Sequence, residues 1–288
     1  MESKDFLSEK LNEEVLFYFK KTDDFESKTF NHILIRWSDD SKMLEDHRYV
    51  LINRLIPDAK KLKILDMAAG CGSFVIQGLL NGYDTYGVEP EEWKQQLIDI
   101  KFEEHNYPKE WRNRIKRGTG EALPFDNEEF DMFDSWQTIE HVQDEEKCIK
   151  ELYRVLKKGG CGILRGPDYI CFYEGHYRML WFPLLNPKSK FAKWYAGKIR
   201  KRPLAGLDTF HPVNPFKIRK YAKEAGFKIV DIKRKQIYDA AKRIMPLLNK
   251  KIFKPVLFCI YEVWDLYWFF KKACTCTNHA TISYLLIK

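Results

Sequence analysis

Between Leu62 and Pro167 the apolar and polar positions change rhythm repeatedly along the chain. Short apolar runs read as strands: KILDM (63–67), YDTYGVEP (83–90), RIKRGTG (114–120), FDMFDSW (130–136) and CGILRGP (161–167). Amphipathic stretches separate them. SFVIQGLLNG predicts a helix closing at Gly82, and EEWKQQLIDIKFEEH predicts one with acids in its first turn, where the helix dipole favours them. DEEKCIKELYRVLKK (144–158) predicts a third, with Asp144 as N-cap and Gly159-Gly160 as its stop. Strands alternating with helices imply an α/β fold, a mostly parallel sheet covered on both faces.

The flanks divide the chain further. Residues 1–60 form a helical cap, with Leu11, Val15, Tyr18 and Phe19 at helical spacing, then Tyr49, Leu51, Ile52 and Leu55 before Pro57. Residues 61–167 are the core, and 168–215 an insert rich in aromatics, prolines and bases without a period. So long an irregular segment inside a domain is more often a lid or binding element than a connection. In 216–288 a helix–strand pair returns (PFKIRKYAKEAG, FKIVDIKRK), followed by an apolar helical insert at 240–272 and a last strand in HATISYLLIK. Within that insert VLFCIYEVWDLYWFF is too short for the ~20 residues of a membrane span, and Glu262 and Asp265 interrupt it. It reads as buried or lying on an interface.

Apolar residues at 45% and charged residues at 31% describe a soluble globular protein, and 288 residues suffice for one large core. The net charge of +8 hides an asymmetry: Lys188 to Lys254 holds 20 basic residues against four acidic ones, leaving −8 for the remainder. Such a bias favours an anionic partner: a membrane surface, a phosphate-bearing substrate or nucleic acid. Seven scattered cysteines and a polar N-terminus suggest reduced thiols in the cytoplasm. Cys274-Thr-Cys276 with His279 offers too few ligands for a structural metal, and none is expected.

The chemistry concentrates in KILDMAAGCG (63–72) and in Glu89-Pro90. An apolar strand ends at an acid, a small-residue loop follows, and a second acid closes the next strand about 20 residues on. Such a loop presents backbone N–H groups to a ligand while the second carboxylate takes ribose hydroxyls. Gly70 and Gly72 allow the tight turn, and Asp66 can orient the loop.

These residues resemble the first motif of class I S-adenosylmethionine (SAM) dependent methyltransferases. VEP resembles the second motif, GTGEALPF the third, and FDMFDSWQTIEHV with ELYRVLKKGG the fourth and fifth. The resemblance spans 62–167 and, more weakly, 210–235 and 279–288. It implies a Rossmann-like, seven-stranded, mostly parallel sheet of order 3-2-1-4-5-7-6 with the last strand antiparallel. An insert follows strand five and a helical insert precedes the last strand. By matching position Asp66, Ala68, Gly70 and Gly72 hold the methionine portion of SAM, Glu89 and Pro90 the ribose, and Gly120, Glu121 and Ala122 border the adenine. Gln137 lies near the methionine carboxylate or sulfonium, and S-adenosylhomocysteine is the product. Ala68 replaces the family's usual first glycine and is tolerable if its φ is negative. Thr119 replaces an Asp that often accepts from the adenine amino group, a task Glu121 could assume.

Methyl transfer to a hydroxyl needs alignment and a base. The candidates are His141, after Glu140 in the turn past strand four, and the YEGHYR cluster with Glu174, His176 and Arg178. Glu174 can pair with His176 to orient its imidazole, and Arg178 can clamp a phosphate or carboxylate. His211 before Pro212 reads as turn chemistry. The insert is also similar to methyltransferases of bacterial cell-surface polysaccharide (capsule and O-antigen) synthesis. That likeness implies O-methylation of a sugar on a nucleotide- or lipid-linked precursor, with the enzyme at the inner membrane face. The alternative is a lipophilic, quinone-like acceptor. RNA methylation ranks lower, because QTIEHV stands where base methylases commonly carry an Asn/Asp-Pro-Pro-aromatic motif. Oligomeric state is open.

Overall fold

The run KILDM forms strand β1 (Lys63–Met67), which lies inside the sheet with strands on both sides and is buried along nearly its whole length. A strand without polar alternation belongs there, because both of its faces are covered. The structure is a computed structural model, and it describes residues 2–21, 27–38, 40, 47–170, 172–233, 235 and 280–288. The helical region expected at 240–272, and Cys274, Cys276 and His279, lie outside the described residues.

Around β1 stand β2 (Asp84–Glu89), β3 (Ile115–Arg117), β4 (Phe130–Trp136) and β5 (Leu156–Asp168). A hairpin of β6 (Tyr173–Glu174) and β7 (Met179–Leu180) follows, then β8 (Lys228–Asp231) and β9 (Ala280–Ile287). The main sheet has the order β3-β2-β1-β4-β5-β9-β8, with β9 antiparallel to both of its neighbours and the other ladders parallel. Setting the hairpin aside, this is the 3-2-1-4-5-7-6 order that the sequence resemblance implies.

Helices α1 (Ser3–Tyr18), α2 (Ser27–Ser38) and α3 (His47–Leu55) precede the sheet. Helices α4 (Ser73–Leu80), α5 (Glu92–Glu104), α6 (Lys109–Arg112) and α7 (Glu145–Val155) connect the first five strands. Helices α8 (Lys190–Trp194) and α9 (Pro215–Ala225) follow in the C-terminal half. Alternation along the strands sends Leu65, Met67 and Phe133 to one face, where they pack with Ile149 and Leu152 of α7 and Ile218 of α9. Ile64, Met132 and Ile163 go to the other, against Tyr49 and Ile52 of α3 and Phe74 of α4. Each such fully buried side chain stabilises the fold by roughly 1.5–3 kcal/mol. Gly162 of β5 leaves room for the Phe133 ring; a Cβ there would stand 2.1 Å from it. Among the described residues no helix is long and apolar enough to cross a membrane.

Three local expectations change. The helix expected over 144–158 starts on its Asp144 cap, whose carboxylate accepts from the Lys147 N–H at 3.0 Å, but ends at Val155. Leu156 already pairs with Phe130, and Gly159-Gly160 lie inside β5. The chain end causes this: Gly159 N–H donates to the Lys288 carbonyl and Lys288 N–H to the Gly160 carbonyl, which recruits the glycines into the sheet. RIKRGTG contributes ladder pairs only over Ile115–Arg117, with a separate bridge from Thr119 to Ala122. YEGHYR sits in the β6–β7 hairpin, so the insert begins as sheet rather than as an irregular loop.

The N-terminal helix lies across this assembly. The Ser3 N–H donates to Glu104 of α5, and at the other end Tyr18 hydrogen-bonds Thr209 beyond the hairpin at 2.8 Å. Helix α1 thereby bridges α5 and the insert, on the side where the parallel strands end.

Candidate functional site: a loop and an imidazole cluster under the first helix

The loop after β1 is held from three directions. Glu89, at the end of β2, is buried; its Oε2 accepts from the Gly70 N–H at 2.8 Å and its Oε1 from the Glu91 N–H at 3.1 Å. Lys94 of α5 stands 3.9 Å from the same carboxylate. Burial raises the Glu89 pKa above the usual carboxylate range, with Lys94 and the two N–H groups opposing. Below the loop, the fully buried Lys101 donates to the Cys71 and Trp37 carbonyls at 3.1 Å each and to Asp40 at 2.6 Å. This pair ties the end of α2 to the turn that opens α4.

Gly72 has φ +77, and Gly70 has φ +56 with nothing within 4 Å of where its Cβ would lie. The open side at Gly70, together with a strand-end carboxylate that keeps acceptor capacity beyond its two N–H bonds, fits a nucleoside-bearing cofactor approaching the backbone. Ala68 departs from expectation: its φ is +62, not negative. The loop keeps the left-handed geometry of the glycine it replaces, and the methyl group carries a strain of about 1 kcal/mol.

Two assigned cofactor residues find partners within the protein. Asp66 shares the face of Ile64, not that of Leu65, so its carboxylate meets Arg48 of α3 instead of a methionine ammonium. Arg48 also donates to Asp134 of β4 at 2.6 Å and lies over the Phe74 ring at 3.9 Å. Glu121 has one oxygen engaged within the protein: its Oε1 accepts from the N–H groups of Gln143 and Asp144, at 2.5 and 3.2 Å, ahead of α7. Pro90, Ala122 and Gln137 are exposed, Gly120 packs against Cys148, and Gln137 has φ +52 as the chain turns out of β4.

Just past β4 that turn delivers Glu140 and His141, and the hairpin delivers Glu174 and His176 to the same place. His176 Nδ1–H donates to the fully buried Glu174 at 2.7 Å. Glu174 accepts also from the Tyr177 N–H at 2.6 Å and from the Tyr169 hydroxyl at 3.2 Å. The His176 ring is sandwiched between Tyr18 of α1 and Phe210, with centroids 5.3 and 5.1 Å away, and meets His141 edge-on at 5.3 Å. His141 Nδ1–H donates to the Thr209 carbonyl at 2.8 Å. Arg178 lies half-buried in the hairpin turn with φ +51.

The electrostatics separate these groups. Burial opposes the charge on His176, yet Glu174 raises its pKa above the ordinary imidazole value. Burial likewise opposes ionisation of Glu174, but His176 and the backbone N–H groups hold its pKa low. His141 is pushed down to about 4, chiefly by desolvation and then by His176. Glu140 is pushed up to about 7 by burial. A neutral imidazole thus stands beside one whose hold on a proton the neighbouring carboxylate strengthens. Although no metal is expected from the sequence, the ligand atoms of Glu140, His141 and His176 lie within 4.8 Å of one another.

The reading of the sequence missed Tyr18, Phe210, Arg48, Lys94 and Lys101. Tyr18 figured only as an apolar-face residue; it reaches His176 across more than 150 positions of chain, a distance no spacing rule spans. Lys101 had no signal other than a helical position.

Residues 65–164 match the sequence profile of a family described as a methyltransferase domain. A 2-methyl-6-phytyl-1,4-hydroquinone methyltransferase of Oryza sativa subsp. japonica is 26% identical over 48% of this chain and 38% of its own length. Demethylmenaquinone methyltransferase of Lactobacillus johnsonii is 26% identical over 60% of this chain and 73% of its own. The chain spans 38% and 39% of the first two curated relatives it matches. Among solved structures, Haemonchus contortus phosphoethanolamine N-methyltransferase 2 in complex with SAM shares the fold, with TM-score 0.50 and 18% identity over 85% of this chain and 52% of that one. Sheet order and domain match agree: the core has the Rossmann-like methyltransferase fold, and residues 65–164 of it match a methyltransferase domain.

Proposed function

We propose that this chain transfers a methyl group from SAM to a lipophilic, ring-bearing acceptor of the hydroquinone kind. The observation that carries the reading is the meeting of His141, Glu174 and His176 with the rings of Tyr18 and Phe210 beside the β4 end. Flat aromatic faces suit a flat acceptor, and imidazoles beside them can take the proton of its hydroxyl. The names of the matched relatives, a phytylhydroquinone and a demethylmenaquinone methyltransferase, support this acceptor class. So does the surface of the insert, where exposed Phe191, Trp194 and Ile199 alternate with Lys190, Lys193 and Lys198. A lipid-borne acceptor would be met at an anionic membrane by such a surface.

SAM supplies a methyl group already activated by its sulfonium. The protein aligns and excludes water. Glu89 receives the ribose, the loop from Ala68 to Gly72 lets the cofactor approach the backbone, and α1 covers one face of the His176 ring through Tyr18. Glu174 fixes the tautomer and plane of His176, as the carboxylate of a catalytic triad fixes its imidazole.

A second reading keeps a sugar hydroxyl on a glycan precursor as acceptor. The hydrogen-bonded Glu174–His176 pair among aromatic rings favours it, since rings stack on sugar faces while polar groups fix hydroxyls. Incubation with methyl-labelled SAM and two acceptor sets, demethylated quinols and nucleotide- or lipid-linked sugars, separates them. Label in the quinol supports the first reading and label only in the glycan supports the second. Turnover with neither acceptor set rejects both.

A further inference from the structure

Glu140 is 1% exposed, yet its Oε2 has no hydrogen-bond partner. A buried carboxylate oxygen left so costs several kcal/mol unless something positive or a donor meets it. The same carboxylate stands beside two imidazoles, His141 with its Nε2 4.0 Å from Glu140 Oε1, and His176. Both imidazoles have Nδ1 committed, His141 to the Thr209 carbonyl at 2.8 Å and His176 to Glu174 at 2.7 Å. Each is therefore fixed in the tautomer that leaves Nε2 with a lone pair. Metal-binding histidines are held in this way, by a carbonyl or carboxylate behind the ring. A cavity of about 110 Å³ borders Glu140 and His141 and gives an ion and its water ligands access.

We propose that Glu140, His141 and His176 bind one divalent transition-metal ion of the zinc type, with Glu174 and the Thr209 carbonyl as the groups that orient the two imidazoles. Two imidazoles and one carboxylate suit Zn²⁺, Co²⁺ or Fe²⁺ rather than Mg²⁺ or Ca²⁺, which prefer all-oxygen sites. Three protein ligands leave a position open, as a site does that polarises a substrate oxygen. The ligand atoms, all within 4.8 Å of one another, must draw together. Ligands about 2.0–2.1 Å from a tetrahedral ion stand roughly 3.3 Å apart, a closure that rotation of the two rings can supply. The bound ion would tie the insert to the sheet, because His176 comes from the β6–β7 hairpin and the other two ligands from the turn after β4. With the ion bound, the ion rather than the imidazoles would activate the acceptor hydroxyl, a part that rests on the function proposed above; the binding itself does not.

The test uses the full chain, stripped with a chelator and titrated with Co²⁺ while its visible absorption is followed, then with Zn²⁺ in competition. One Co²⁺ per chain is expected, with the ligand-field band of a low-coordinate nitrogen–oxygen site, displaced by Zn²⁺. His176→Ala and Glu140→Gln are each expected to weaken binding by more than about 100-fold, and Glu174→Gln by about 10–100-fold through the ring it orients. SAM affinity, measured alongside by calorimetry, is expected to stay within about threefold, which separates loss of the ion from loss of the fold. Absence of Co²⁺ binding by the wild-type chain at about 0.1 mM overturns the proposal. So does binding that survives His176→Ala and Glu140→Gln, or that disappears only in Cys274→Ser/Cys276→Ser. No acceptor or turnover enters these measurements, so a wrong acceptor class leaves their outcome unchanged.

Discussion

The loop after β1 and the imidazole cluster after β4 lie under the same helix but are built in opposite ways. The loop is local: Asp66 to Gly72, Glu89 and Lys94 all come from one β-α-β-α unit, and backbone conformation does most of its work. The cluster is assembled from afar, with Tyr18 from α1, Glu140 and His141 from the turn after β4, Glu174 and His176 from a hairpin, and Phe210 from the insert. A contiguous motif can serve a cofactor common to many enzymes, because the cofactor does not change. An acceptor site must differ between enzymes, and loops carried on a rigid sheet permit that.

If the loop depends on its buried support, Lys101→Met should have the largest effect on stability. It leaves Asp40 buried without its cation, and a loss of about 3–5 kcal/mol is expected in chemical denaturation. A loss under about 1 kcal/mol would show that the loop stands without that pair. If the cluster alone serves the acceptor, His176→Ala should lower kcat by about 100-fold or more while SAM affinity changes little. Equal losses in both would erase the division between the regions. Glu89→Ala should do the reverse, weakening SAM by roughly 10–100-fold in calorimetry, in line with lost hydrogen bonds to a charged group. The smallest effect is expected at Ala68→Gly. Relief of the left-handed alanine at φ +62 and the added freedom of the unfolded chain oppose one another, leaving a gain of up to about 1 kcal/mol in thermal unfolding.

Much of the core was legible because its signals are short-range. FDMFDSW is β4 to the residue, Asp144 is the cap of α7, and the sheet order agrees with the motif order. The misses fall where distant chain intervenes. Gly159-Gly160 stops a helix by local rules, yet Lys288, from the far end of the chain, pulls it into β5. Asp66 is an acid in the right motif, but strand alternation aims it at Arg48.

By itself the sequence determined the alternation of strands and helices, the tight small-residue loop after β1 and the methyl donor, all of which follow from patterns of a few adjacent residues. It also marked Glu174 and His176 as a pair two positions apart. Only the tertiary structure decided what that pair faces: a stacked Tyr18 and Phe210, a neutral His141 and an unpartnered Glu140 oxygen. The physical reason is burial, since the desolvation that moves Glu140 and His141 from their ordinary pKa values exists only once α1, the sheet and the insert close around them.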